Sequence, residues 1–135
     1  MFTDVNFLAI AASAVVAMVI GFTWYSPAVF GKHWMKLSGV HPKKEEKEAM
    51  YMSVAIGFLA ALITAYVLSI FIQISGATTF VDALTIGAFV WIGFMATLQV
   101  HRVAWEQKSW NLFFLDTGNT LLTTLVVAVI LTLWK

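Results

Sequence analysis

The stretch VNFLAIAASAVVAMVIGFTWYSP, residues 5–27, decides the fold. From about Val5 to Tyr25 it carries no charged side chain, and about 20 helical residues are what a hydrocarbon core about 30 Å thick requires. Within lipid a chain satisfies its own backbone groups by forming a helix. Pro27 then disfavours the helical conformation for Ser26 and closes the run. Three more runs of this kind follow, from about Met50 to Ile74, Phe80 to Val100 and Leu112 to Trp134. Gly76 is placed to end the second in a left-handed conformation, and Thr79 with Asp82 forms a capping-box pattern that opens the third. The connection Ser75 to Thr78 is so short that the second and third helices are expected to be antiparallel neighbours.

The composition agrees with four spans. Of 135 residues 61% are hydrophobic and 11% charged, with a mean hydropathy of +0.87, well outside the usual range for a soluble domain. Lys43 to Glu48 holds six of the fifteen charges, so the remaining segments are nearly pure hydrocarbon. The predicted fold is all-α: a single polytopic membrane domain over residues 1–135, with four transmembrane helices in an antiparallel bundle. The first run follows no Lys or Arg and is too long for a signal core, so it is read as a retained helix. The chain has no cysteine, which excludes disulfides, thiolate metal ligands and thiol nucleophiles.

Seven of the eight basic residues, Lys32, Lys36, Lys43, Lys44, Lys47, Arg102 and Lys108, fall in the first and third loops, and only Lys135 falls on the other side. The positive-inside rule therefore predicts that loops 26–49 and 101–111 are cytoplasmic and both termini outside, in a cell (inner) membrane. Small residues recur at every fourth position: Ala9, Ser13, Ala17 and Gly21; Ser53, Gly57, Ala61, Ala65 and Ser69; Thr120, Thr124, Ala128 and Thr132. Such rows let helices approach closely in lipid. Three of them predict one row left over for a second copy, most simply a two-fold dimer.

Asp116 is the acid inside a span, and an intramembrane acid is a functional candidate by default. Asn119, Thr120 and Thr123 follow on its helix face. Gln99, His101 and Arg102 end the third helix on the same side, where either cation could reach it. Three readings follow: an ion pair clamping two helices, a proton or ion relay through Asp116 and His101, and catalysis. Catalysis finds little support, because His33, His41 and His101 have no ligand-like spacing and no HExxH, paired-carboxylate or glycine-rich phosphate pattern is present. No catalytic residue, metal site or cofactor is expected. Nucleic-acid binding is not expected either, since the net charge is +1 and the basic cluster alternates with glutamates.

After Pro27, Phe30, Trp34 and Leu37 recur at helical spacing, with Lys32, His33 and Lys36 opposite them. This predicts a short amphipathic interfacial helix over about 28–38, with Trp24 and Tyr25 at the membrane boundary. Lys32, Lys36, Lys43 and Lys44 could touch anionic lipid. If this segment roofs the polar end of the helices, Tyr25 and Ser26 should lie near Asp116.

The string Trp24-Tyr25-Ser26-Pro27, then Phe30-Gly31-Lys32 and Trp34-Met35, with Gly76-Ala77-Thr78-Thr79 before the third helix, resembles the bacterial membrane proteins grouped as domain of unknown function 1761. The resemblance extends over nearly the whole chain. It implies a small four-helix integral membrane protein and supplies no activity, substrate or catalytic residue. It also implies an Asn-Ala-Gly string where this chain has Asp116-Thr117-Gly118. The charge at 116 is then a local departure, which counts against a relay shared by the family. Two function classes remain: a non-enzymatic oligomeric scaffold or accessory subunit, and a small oligomeric transporter or channel with a relay at Asp116.

Overall fold

The computed structural model of the protein describes residues 4–39 and 47–135, the side chains of 47–49 excepted. Among these residues every regular element is helical. Four helices are long and apolar enough to cross a membrane: Phe7–Trp24, Met50–Ser75, Phe80–Ala104 and Trp110–Leu133. Lys43 and Lys44 lie outside the described residues.

Local chemistry sets the helix ends. Helix α1 spans Phe7–Trp24 because Asn6 caps it, its side-chain oxygen accepting from the backbone N–H groups of Leu8 and Ala9 at 3.1 Å each; two otherwise orphaned donors are thereby satisfied. Helix α2, Gly31–Ser38, ends at Gly39 with φ of 78°. Helix α3 spans Lys47–Ser75 and ends at Gly76, whose φ of 73° only glycine adopts without strain. Helix α4, Phe80–Trp91, opens on the capping box: Asp82 N–H donates to Thr79 Oγ1 at 3.1 Å, and Thr79 N–H to Asp82 Oδ2 at 3.2 Å.

The third and fourth spans depart from the sequence expectation. The third does not stop near Val100. After α4 a single π-helical turn, Ile92–Ala96, leads into α5, Thr97–Ala104, so Gln99, His101 and Arg102 are helical rather than at a loop edge. Hydropathy falls away at Gln99, but long unbranched polar side chains continue a helix readily, and the backbone runs on. It ends where Gln107 takes a φ of 58° and the Lys108 N–H donates back to the Arg102 carbonyl at 3.0 Å. The fourth span, α6, covers Trp110–Leu133 and starts two residues before the expected Leu112, because Ser109 caps it by accepting from Leu112 N–H at 3.1 Å.

Helix α6 is the element on which the others meet: it packs against α1, α3 and α4, and also touches α2, α5 and the π turn. A third of its most apolar window is buried, against 11% for Phe80–Ala104. Helices α3 and α4, though joined by a short loop, pack chiefly through α6 rather than on each other. The small-residue rows are contact faces. Ala9, Ser13 and Ala128 are fully buried, and a Cβ added at Gly87 would sit 3.2 Å from Leu125 and 3.3 Å from Ala128. Ala65 and Ser69 of α3 are buried, while Ser53 is exposed. Most of the α6 row and the first half of the α1 row are thus consumed within one chain, while Gly21 at the end of the α1 row and Ser53 at the start of the α3 row have open space beside them.

The two ends differ in chemistry. At one, Lys135 Nζ donates to the Ala77 carbonyl at 2.7 Å, Asn6 Nδ2 to the Trp134 carbonyl at 3.3 Å, and Gln73 Nε2 to the Asp4 carbonyl. At the other, the chain reverses between α1 and α2 in a tight turn. The N–H groups of Val29 and Gly31 both donate to the Ser26 carbonyl, at 3.0 and 2.8 Å, and Phe30 N–H donates to the Trp24 carbonyl at 3.1 Å. A Cβ at Gly31 would lie 2.3 Å from the Tyr25 carbonyl oxygen and 2.8 Å from the Ser26 carbonyl. These are backbone atoms and cannot rotate aside. Gly31→Ala is therefore expected to destabilise the protein by about 2 kcal/mol or more, since a forced backbone shift costs about 1–3 kcal/mol. At Gly118 the added Cβ would meet only the Trp24 ring, at 3.2 Å, so Gly118→Ala should cost less. Thermal unfolding of both variants in mild detergent checks the order, and equal stability of Gly31→Ala and wild type would contradict it.

Candidate functional site

On the turns of helix α6 nearest the basic end, Asp116 and Thr120 each accept a hydrogen bond from another element. Asp116 is 8% exposed. Its Oδ1 accepts from the Tyr25 hydroxyl at 2.6 Å, and its Oδ2 accepts from Arg102 Nη1 at 2.8 Å. One carboxylate therefore joins the end of α1, helix α5 and helix α6. Bonds of this charge-assisted kind are the short, strong ones. Arg102 also faces Glu106, Nε to Oε2 at 3.7 Å, an exposed contact worth little by itself.

Two indoles bond to the α6 backbone beside this acid. Trp24 Nε1 donates to the Leu115 carbonyl at 3.1 Å. Trp91 Nε1 is shared between the Thr117 carbonyl at 3.0 Å and Thr120 Oγ1 at 3.1 Å. The tight turn aims the first of them. Phe30 packs on Trp24 with ring centroids 4.7 Å apart, and Trp34 meets Tyr25 edge-on at 5.6 Å. Trp24 and Tyr25 thus both turn toward α6, and Tyr25 lies beside Asp116, where a roof over the polar end requires it. Trp105, at 81% exposure, is a solvent- or lipid-facing ring of the ordinary kind.

The remaining residues singled out from sequence fall in different places. Ser26 does not reach Asp116: its hydroxyl donates to the Thr23 carbonyl at 2.7 Å, and its carbonyl is the hub of the turn. Pro27 and Lys32 are exposed. His101 is exposed and makes no bond to Asp116, so of the two cations at the end of the third span Arg102 alone is paired with the acid. Gln99 lies beside Arg102 and Lys108 in a small crevice against Leu112. Thr120 donates to the Thr117 carbonyl at 3.0 Å besides accepting from Trp91. Asn119 lies about one turn along α6 from Asp116, and its Oδ1 is buried without a hydrogen-bond partner.

Sequence reasoning missed Trp91 and Met95, the latter of which accepts a contact from Thr124 Oγ1 at 3.2 Å, and it met Gly31 only as a letter of the family string, with no role. Trp91 carried a legible signal. It sits mid-span, and a deep indole N–H needs an acceptor that lipid cannot supply. Met95 had none, because the π turn that sets its direction leaves no mark in hydropathy.

A cavity of about 260 Å³ opens one turn beyond Asp116, between α1, α3, the π turn and α6, with Asn119, Thr120, Thr123 and Thr124 on one wall. Neither a curated protein nor a solved structure matches the chain. The model of the DUF1761 family, proteins of unknown function, matches residues 8–132 and so includes the reversed turn, Arg102 and Asp116; the chain belongs to the DUF1761 family.

Proposed function

We propose that the protein is a non-enzymatic membrane scaffold or accessory subunit in which Asp116 is a clamp. The observation that carries this is the double commitment of its carboxylate, one oxygen to Tyr25 and the other to Arg102. A relay group must release and rebind a proton, and here each step would break a charge-assisted bond between helices. The reading also takes the four spans as an antiparallel bundle in a cell membrane, with α2 lying at the interface, where Lys32 and Lys36 meet anionic headgroups. Seven of the eight basic residues fall, in sequence, in the connections that follow the first and third spans, which supports a cytoplasmic location for those connections and an outside location for both termini. A two-fold dimer completes the proposal, with the sparsely buried Phe80–Ala104 helix as its expected contact.

The competing reading is a small oligomeric transporter or channel with a relay at Asp116. Its support is the cavity that begins near Asn119.

The two readings diverge on measurable quantities. As a clamp, Asp116→Asn and Arg102→Gln should each lower thermal stability. A double-mutant cycle between them should give a coupling of about 0.5–3 kcal/mol, the range for residues in contact or in one salt-bridge network. Tyr25→Phe should cost about 1.5–3 kcal/mol, as for a hydrogen bond to a charged group. Unchanged stability together with lost proton-coupled flux in proteoliposomes would instead favour the relay. For orientation, the cysteine-free chain allows single cysteines at Lys44 and Lys135 to be challenged with an impermeant thiol reagent. Labelling of position 135 alone in intact cells is expected, and labelling of position 44 would reverse the topology. In native-lipid nanodiscs the mass should correspond to two copies, and a single copy would remove the dimer.

A further inference from the structure

Helix α5, Thr97–Ala104, is the least anchored part of the third span. It has no buried residue, whereas the elements on either side are pinned to α6. Before it, Trp91 Nε1 donates to the Thr117 carbonyl and to Thr120 Oγ1, and Thr124 Oγ1 donates to Met95 Sδ. After it, Ser109 caps α6 and Leu112 is buried. Among the described residues, the side-chain hydrogen bond that ties α5 to another element is Arg102 Nη1 to Asp116 Oδ2 at 2.8 Å. A segment with so little buried surface opens locally at lower cost than the whole fold.

The backbone at both ends of α5 is built to turn. On the near side lies the π turn Ile92–Ala96, the kind of bulge at which helices bend. Bending a helix in lipid exposes a carbonyl that lipid cannot satisfy, unless a nearby Ser or Thr covers it. Thr97 Oγ1 donates to the Gly93 carbonyl at 2.8 Å, and a Cβ at Gly93 would meet nothing within 4 Å. On the far side Gln107 holds a φ of 58°, strained for a residue with a Cβ and of the sort that collects at switch segments. The Lys108 N–H on the Arg102 carbonyl, at 3.0 Å, closes that end. Breaking that bond lets Gln107 leave the strained region.

The charges have a second arrangement as well. Glu106 Oε2 stands 3.7 Å from Arg102 Nε, and Oδ1 of Asp116 keeps the Tyr25 hydroxyl at 2.6 Å. When Arg102 leaves Asp116, its guanidinium closes on Glu106 in its own segment and the acid retains Tyr25. Neither charge is left alone, and an uncompensated buried charge is what makes breaking such a pair costly. We propose that α5 is a hinged arm, with the π turn as its pivot and the Arg102–Asp116 pair as the latch that holds it against α6. The proposal rests on the reading of Asp116 as a clamp and adds a released state, in which Arg102 pairs with Glu106 and residues 101–107 swing away from α6.

The test uses the full-length protein in phosphatidylcholine nanodiscs. The cysteine-free chain takes spin labels at the exposed positions Val29 and Ala104, and in Arg102→Gln their separation should broaden to longer distances while that between Val29 and Phe89, before the pivot, stays the same. Hydrogen exchange of residues 97–105 should rise about tenfold in the same variant, the scale of a lost hydrogen bond to a charged group, and well above any rise in 80–91 and 110–124. Gly93→Ala, whose methyl enters open space, should stiffen the pivot and slow exchange of 97–105 about two- to fivefold. Glu106→Gln removes the second partner and should slow it too. Should Arg102→Gln fail to fold, these two variants decide. Exchange that rises evenly over α4, α5 and α6 in Arg102→Gln, or stays unchanged while thermal stability falls, would overturn the arm and leave the clamp standing; if both stay unchanged, arm and clamp fall together. Exchange of 97–105 that Gly93→Ala or Glu106→Gln leaves unchanged or raises would overturn the hinge.

Discussion

The carboxylate of Asp116, bonded at once to Tyr25 and Arg102, is the contact on which the arrangement of helices depends. In lipid no hydrophobic drive holds helices together, because the tails are as apolar as the side chains they would replace. Association then rests on close approach and on polar bonds, and α6 supplies both. Its later turns offer Ala128 to Gly87 on α4 and Thr124 to Met95 in the π turn, and its first turns offer Asp116 and the carbonyls of Leu115 and Thr117 to donors from the end of α1, α4 and α5. Neither set alone fixes register. Small-residue rows slide by one turn with modest loss, whereas a 2.6 Å bond to a single acid does not.

The reversed turn after α1 is the device that makes the bond possible. Tyr25 closes α1, and a phenol there would be free to point to lipid or water. Three backbone bonds to Ser26 and Trp24 fold the chain back, Gly31 admits the contact, and Phe30 and Trp34 settle against Trp24 and Tyr25. The conspicuous WYSP string is therefore a positioning element, and its serine and proline act through the backbone rather than through reactive groups. The glycine five residues after the serine matters as much as the aromatics, since no other residue fits against the Tyr25 carbonyl.

Much of this was legible in the residues, and the gaps have physical causes. The four apolar runs, the left-handed Gly76 and the Thr79–Asp82 box rest on local chemistry, which a sequence displays directly. So does Asp116, because charge in an apolar run cannot be hidden. Its partners were only half legible. Arg102 and His101 stand one residue apart at the end of the third span, and choosing between them requires the helical phase at that point. The π turn at Ile92–Ala96 alters that phase without altering hydropathy. The same turn directs Met95 toward Thr124, which is why the cavity wall it helps to form could not be anticipated.

Beyond this acid the same face of α6 opens into space: Asn119, three residues after Asp116, lines the cavity between α1, α3 and the π turn. On the other side, Tyr25 holds Oδ1 of Asp116 and Arg102 holds Oδ2. Through Arg102 the same acid reaches Glu106 and the exposed connection to α6. A carboxylate engaged on both oxygens thus ties the reversed turn after α1 to the connection before α6, and a change at either is transmitted to the other through hydrogen bonds already in place.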